Sequence, residues 1–184
     1  IESTTVILSA AITHFDFSDA DTPSGKDQYQ EFFNRSCFVK FNAKEQLDKY
    51  KRTISQSTLD WWKKQSEVAR ELALMPSDQD VTASNGIETI RNYINSHGGT
   101  KQIIWARGSL DQMAIDSLCR AVGVEPLVMY NQWRDVRTAV DLLADTNNGY
   151  CSIENFDPSI SVIKHDPRAD CALDIMMLLY HKTK

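Results

Sequence analysis

Apolar residues recur along the chain in a few distinct spacings, and each spacing predicts a different element. Val6-Ile7-Leu8-Ser9-Ala10-Ala11-Ile12-Thr13 is an almost unbroken apolar run of strand length. It reads as a buried strand, ended by the Asp-rich loop from Asp16 to Gly25. The aromatic-rich stretch from Tyr29 to Phe41 is expected to supply its hairpin partner. Ile87, Ile90 and Ile94 fall at i, i+3 and i+7, the spacing of one helical face, and predict a helix from Asn85 to His97 with Gly98 at its end. Ile115, Leu118, Cys119 and Val122 form a second such stripe, closed by Gly123, in a helix that follows Arg107-Gly108-Ser109. Gln102 to Ala106 reads as a short strand before it, Val128 to Trp133 as a further strand, and Val136 to Leu143 as a helix.

Helix-start signals add three more elements. Ser57-Thr58-Leu59-Asp60 reads as a capping box that opens a short helix bearing Trp61 and Trp62, and a second helix is expected from Ser66 to about Leu74. Near the end of the chain Asp166 reads as an N-cap with Pro167 at the first helical position, and Ile175, Met176 and Leu179 then face the core. Asp145 to Ser161 reads as loop. A strand at the start, and helices alternating with strands later, predict a layered α/β domain. No internal repeat, linker or low-complexity segment interrupts it.

Composition narrows the class without choosing a function. The 184 residues are 42% hydrophobic and 24% charged, as in an ordinary globular domain with a core of its own. No apolar run approaches the ~20 residues of a membrane span, and no basic segment precedes Val6–Ala11 as a signal peptide requires. The four cysteines, Cys37, Cys119, Cys151 and Cys171, are scattered without a Cys-x-x-Cys pair, which reads as reduced thiols in a cytosolic protein. A net charge of −5 argues against a protein that coats nucleic acid. The charge is uneven, however. Residues 1–31 carry six acids against Lys26 alone, whereas residues 40–64 carry Lys40, Lys44, Lys49, Lys51, Arg52, Lys63 and Lys64 against three acids. Such a stretch can touch a phosphate backbone locally, or be no more than a solvated face.

Two places put carboxylates where α/β proteins do chemistry. Asp111 lies just beyond a strand, in the first turn of a helix that Ser109 is expected to cap, at the sheet edge where such folds bind ligands. Taken alone it reads first as an aspartate complementing a helix dipole. His165 and Asp170 flank the start of the last helix, one outside it and one a turn inside. A carboxylate there can hold a hard divalent cation while an imidazole deprotonates a water beside it; taken alone the pair reads first as a surface histidine and an ordinary acidic first turn. Trp61 and Trp62 can stack on an unpaired base, but neighbours on a helix point about 100° apart, so at least one is expected in the core. Asp135 and Arg137 read as a structural ion pair or turn. Asp174 shares a helix face with Asp170 and reads as support for that site or as surface. His14, His97 and His181 have no convergent partners in the sequence and read as structural or solvated.

Taken together, these stretches resemble a family. Ser57 to Ser66 resembles an S-T-x-x-W-W-x-x-Q-S segment, Trp105-Ala106-Arg107-Gly108-Ser109-Leu110-Asp111 a second motif, Asn131 to Thr138 an N-Q-x-R-D-x-R-T stretch, and His165 to Asp170 the H-x(4)-D third motif of the DEDDh exonucleases. Within these the chain looks most like the exodeoxyribonuclease A type of T-even phages. The resemblance implies a single ribonuclease H-like α/β domain over residues 1–184, with a mixed central sheet flanked by helices. It implies two Mg²⁺ or Mn²⁺ ions held in part by Asp111 and Asp170, with His165 as general base. Beside it, Ser109 reads first as a cap and second as a substrate contact, and Trp61 or Trp62 with the basic 40–64 stretch reads as the path of the strand. The substrate implied is a single-stranded DNA 3′ end, shortened one nucleoside 5′-monophosphate at a time, in the cytoplasm (a host's, if a phage encodes the chain). Short RNA is the nearest alternative. The family's first motif, an Asp-x-Glu at the end of the first strand, is the departure: it is expected upstream of Ile1, with Glu2 in the turn that follows. A catalytically inactive nucleic-acid-binding module of the same fold is the alternative that this departure supports.

Overall fold

The computed structural model describes residues 4–21, 26–153, 156 and 159–180. Strand β1 (Ser9–Ile12) leads through a single 3₁₀ turn toward helix α1 (Lys26–Arg35) and strand β2 (Cys37–Lys40). The two strands pair antiparallel, with Ser9 opposite Lys40 and Ile12 opposite Cys37. The strand predicted over residues 6–13 is therefore shorter, and partly rather than fully buried. Tyr29 to Arg35 is helical where a strand was expected. The aromatics explain this: Tyr29, Phe32 and Phe33 are spaced three and four apart and so share one helical face, and Tyr29 and Phe32 are buried.

Four short helices follow: α2 (Ala43–Asp48), α3 (Gln56–Trp62), α4 (Glu67–Ala73) and the longer α5 (Ala83–Ser96). The cap of α3 is Ser55, whose hydroxyl accepts from the Thr58 N–H, so Ser57 lies inside the helix and not at its start. Ser66 caps α4, and Thr82 caps α5. Ile87, Ile90 and Ile94 of α5 are buried against β2 with Val39 and Phe41. Gly86 belongs to the same contact, since a Cβ there would fall 2.3 Å from the Phe41 ring. Residues 53–81 form an excursion joined to the body at both ends, through bridges between Thr5 and Thr53 and between Phe41 and Val81.

Strand β3 (Ile104–Ala106) pairs in parallel with β4 (Trp133–Asp135), and α6 (Leu110–Val122) crosses between them. Val128 is buried as a strand residue would be, but 130–132 make a 3₁₀ turn, so the second strand begins later than its apolar run suggests. Helices α7 (Val136–Ala144) and α8 (Pro167–Tyr180) complete the order. Among the described residues the strands make two pairs, one antiparallel and one parallel, where one mixed central sheet was expected. Three or four residues per strand leave little backbone for a wider ladder.

Helix α8 organises the rest. One side packs Ala169, Ala172, Ile175, Met176 and Leu179 against Tyr29 and Phe32 of α1, and the other packs Met177 and Leu178 against Val136 and Val140 of α7. A helix apolar on both sides is a core helix, and the Arg107–Asp174 ion pair ties it to the loop that opens α6. No described helix is long and apolar enough to cross a membrane. The four cysteines are free thiols.

Candidate active site

The β3–α6 corner is built by Gly108 and Asp135. Gly108 has φ 83°, a left-handed conformation that glycine adopts without strain, and its N–H donates to the Asp135 carboxylate at 2.9 Å. The same carboxylate caps α7 through the Arg137 and Thr138 N–H groups and accepts from the Thr138 hydroxyl at 2.7 Å. Asp135 is thus a turn and cap residue, with its carboxyl held below the usual range by the Thr138 hydroxyl first. Ser109 precedes α6 but makes no capping bond, contrary to expectation, because its backbone is already helical and its side chain faces solvent.

Asp111 and Asp170 face solvent from the first turns of α6 and α8, with Asp174 one turn further along α8. Their electrostatics link them. Asp170 is pushed up to about 6, first by desolvation, then by the charges of Asp174 and Asp166, with Asp111 adding to the rise and Arg107 opposing it. Asp111 is raised by desolvation and by Asp174, against Arg137 and the Arg107 N–H. Asp174 is raised by desolvation and lowered by Arg107, then by Arg137. The charge of Asp174 thus raises both Asp111 and Asp170, and that of Asp111 raises Asp170, a repulsion that a nearby cation relieves.

Arg107 is the clamp that the sequence did not reveal. Its Nε donates to Asp174 at 3.0 Å, Nη2 donates to the same carboxylate, and Nη1 donates to the Gly149 carbonyl at 2.7 Å. Its guanidinium lies 4.3 Å from the centre of the Tyr150 ring. Asp174 is therefore an ion-paired, half-buried residue and not a surface one.

His165 sits at φ 67° in the turn before α8, next to Asp166, which is fully buried and takes the Arg168 N–H at 3.0 Å as the expected N-cap. Its described ring contacts are both with tryptophans: the Trp61 ring centre is 4.7 Å away and that of Trp62 6.2 Å, each edge to face. Neither tryptophan enters the core. Trp61 is 42% exposed and α3 buries no residue. Between them α4 and residues 161–165 enclose a cleft of about 370 Å³ lined by Gln65, Ser66, Val68, Val162 and His165.

The basic stretch 40–64 is divided by burial. Lys40 and Arg52 turn inward, Lys40 to the carbonyls of Glu71 and Met75 and to Asp80, Arg52 to the Thr5 carbonyl and the Ser117 hydroxyl. Lys44, Lys49, Lys51, Lys63 and Lys64 remain exposed. His14 and His97 do converge, contrary to expectation: their rings stack 4.5 Å apart, beside Tyr93. His181 and Glu2 lie outside the described residues. Among the described residues, no three His, Cys, Asp or Glu side chains stand close enough to enclose a metal ion by themselves.

A family profile described as a 3′-5′ exoribonuclease Rv2179c-like domain matches residues 1–178. An exodeoxyribonuclease of Enterobacteria phage T4 is 32% identical over 192 aligned residues, which cover 95% of this chain and 81% of the relative. No solved structure matches the chain. The profile spans nearly the whole sequence, including the corner that carries Asp111 and the turn that carries His165 and Asp170, so the chain belongs to the Rv2179c-like family of 3′-5′ exonuclease domains.

Proposed function

We propose that the chain is a divalent-metal-dependent 3′-5′ exonuclease of ribonuclease H-like fold, which releases nucleoside 5′-monophosphates from single-stranded DNA 3′ ends. The observation that carries this reading is that Asp111 and Asp170 stand exposed in the first turns of α6 and α8, with the Arg107–Asp174 ion pair tying α8 to the loop that opens α6. Asp111 and Asp170 offer hard oxygen donors open to solvent, which suit Mg²⁺ or Mn²⁺ held by one or two carboxylates with substrate phosphate and water completing the shell. Two such ions, when bound, supply charge stabilisation for phosphoryl transfer and a more acidic water. Asp111 and Asp170 would contribute carboxylate oxygens to holding them.

His165 accepts the proton of the attacking water at an imidazole nitrogen. The edge of Trp61 orients that imidazole, and the exposed remainder of the indole stacks on a base near the 3′ end. Ser109, exposed at the start of α6, donates to the backbone beside Asp111. The exposed lysines of 44–64 flank the path of the strand.

RNA as substrate is the second reading, and the description of the matching family as an exoribonuclease favours it. The deciding experiment incubates matched 5′-labelled DNA and RNA oligomers with the protein in Mn²⁺, in Mg²⁺ and in EDTA. Stepwise shortening of the DNA from its 3′ end with a metal, and none in EDTA, is the expected result. Faster loss of RNA transfers the assignment to the second reading. No shortening of either strand leaves a binding module and overturns the enzyme.

A further inference from the structure

Two arginines approach the carboxylate cluster, and they are used differently. The guanidinium of Arg107 is consumed by protein partners: Nε and Nη2 by Asp174, Nη1 by Gly149, one face by Tyr150. Arg137 lies in the first turn of α7. One oxygen of Asp135 accepts both the Gly108 N–H at 2.9 Å and the Arg137 N–H at 3.1 Å, so the start of α7 is tied to the corner that leads into Asp111. The aliphatic stem is walled in as well. Gly149 packs so closely that a Cβ there would lie 2.6 Å from Arg137 Cγ and 2.8 Å from Arg137 Cβ. Arg137 is exposed, and among the described residues its guanidinium makes no hydrogen bond or ion pair. Its positive charge nevertheless reaches both Asp111 and Asp174, where it opposes the rise of the carboxyls.

We infer that Arg137 is a substrate-binding residue that takes the non-bridging oxygens of a backbone phosphate beside Asp111. The inference rests on the nuclease reading above and deepens it. A counter-ion meant for the carboxylates alone is paired with them, as Arg107 is with Asp174. Arg137 has a fixed root and an uncommitted head, and a planar fork of N–H donors matches two phosphate oxygens. With the backbone tied by Asp135 and Cβ and Cγ packed on Gly149, less side-chain freedom remains to be lost when phosphate binds.

The test measures binding without turnover. A 5′-fluorescein dT12 oligonucleotide is titrated with wild-type protein, R137A, R137Q and R137K in EDTA at several salt concentrations, read by fluorescence anisotropy. R137A and R137Q are expected to weaken binding about tenfold and to lower the slope of log affinity against log salt by about 0.7, the share of one phosphate contact on a single strand. R137K is expected to keep the slope but recover only part of the affinity, because an ammonium lacks the fork. Thermal melting of each variant checks the fold, and should R137A not fold, R137Q decides by the same slope. Wild-type affinity and slope in the folded variant overturn the role of Arg137 while leaving the nuclease reading standing. No binding of dT12 by the wild-type protein, together with no degradation of DNA or RNA, overturns both.

Discussion

The indole of Trp61 and the imidazole of His165, far apart in the chain, meet edge to face with ring centres 4.7 Å apart and planes 72° apart. An edge-to-face pair of this kind is worth about 0.5–1.5 kcal/mol beyond buried area, enough to fix the direction of an imidazole that a turn alone leaves loosely aimed. Trp61→Ala is therefore expected to lower kcat on a single-stranded oligomer about three- to tenfold, with Trp61→Phe retaining most of it. His165→Ala should lose roughly 10²–10⁴. Unchanged kinetics in Trp61→Ala make the contact mere packing.

Asp170→Asn is expected to abolish degradation in Mg²⁺ without unfolding the protein. The pH dependence supplies an independent check. The folded carboxyl titrates near 6, above its ordinary 3.8, so the folded state holds the proton more tightly than the unfolded chain. The stability gained this way is complete below about pH 4 and is lost as pH rises through 6. In EDTA, melting temperatures of the Asn variant should exceed wild type at pH 7.5, and the advantage should vanish by pH 4.

Arg107 and Asp174 are each less than a fifth exposed, so removing one partner strands the other. Arg107→Ala should cost about 2–4 kcal/mol of unfolding free energy, more than Asp174→Asn, since it also orphans the Gly149 carbonyl. The double variant should lose less than the sum. Strict additivity in urea unfolding would show that the pair is not coupled.

The stacked imidazoles of His14 and His97 predict sensitivity to acid. His14 is held below its ordinary range by desolvation first, then by the charges of His97 and Arg35, with Asp19 and Asp16 pulling the other way. Its neutral form is the one the fold favours. Its contribution is full above the unfolded value near 6.5 and is lost as pH falls through that value toward the lower folded one. The backbone on both sides is committed: the His14 N–H donates to the Tyr93 hydroxyl, which donates to the Arg35 carbonyl, and Arg35 donates back to the His14 carbonyl. Between pH 7.5 and 5.5 the melting temperature of His14→Phe should fall less than that of wild type; parallel curves would exclude the stack as the cause.

What the sequence made legible was local. Helices α5 to α8 carry their stripes and most of their caps within a dozen residues, so periodicity was enough to place them. The cap of α3 falls two residues before the one the capping box suggests, because Ser55, Ser57 and Thr58 are all cap-forming types, and it is Ser55 whose side chain accepts from the Thr58 N–H. Helix α1 was hidden because aromatic residues suit strands as well as helices. The acidic part of the site was visible through Asp111 and Asp170, each at the start of a helix. The pairs that shape it, Arg107 with Asp174 and Trp61 with His165, join residues far apart in sequence, and nothing near either partner signals the other.

Lys40 has a consequence beyond its own burial. It fastens the C-terminal end of α4 to β2 through the carbonyls of Glu71 and Met75, while the excursion it anchors is bridged to the body at Thr53 and Val81. The excursion that carries Trp61 is thus tied to the body at Thr53, at Val81 and at the C-terminal end of α4. Whatever strand meets that indole has to bend to it, so the entropy of fitting is borne by the visiting chain and not by the protein.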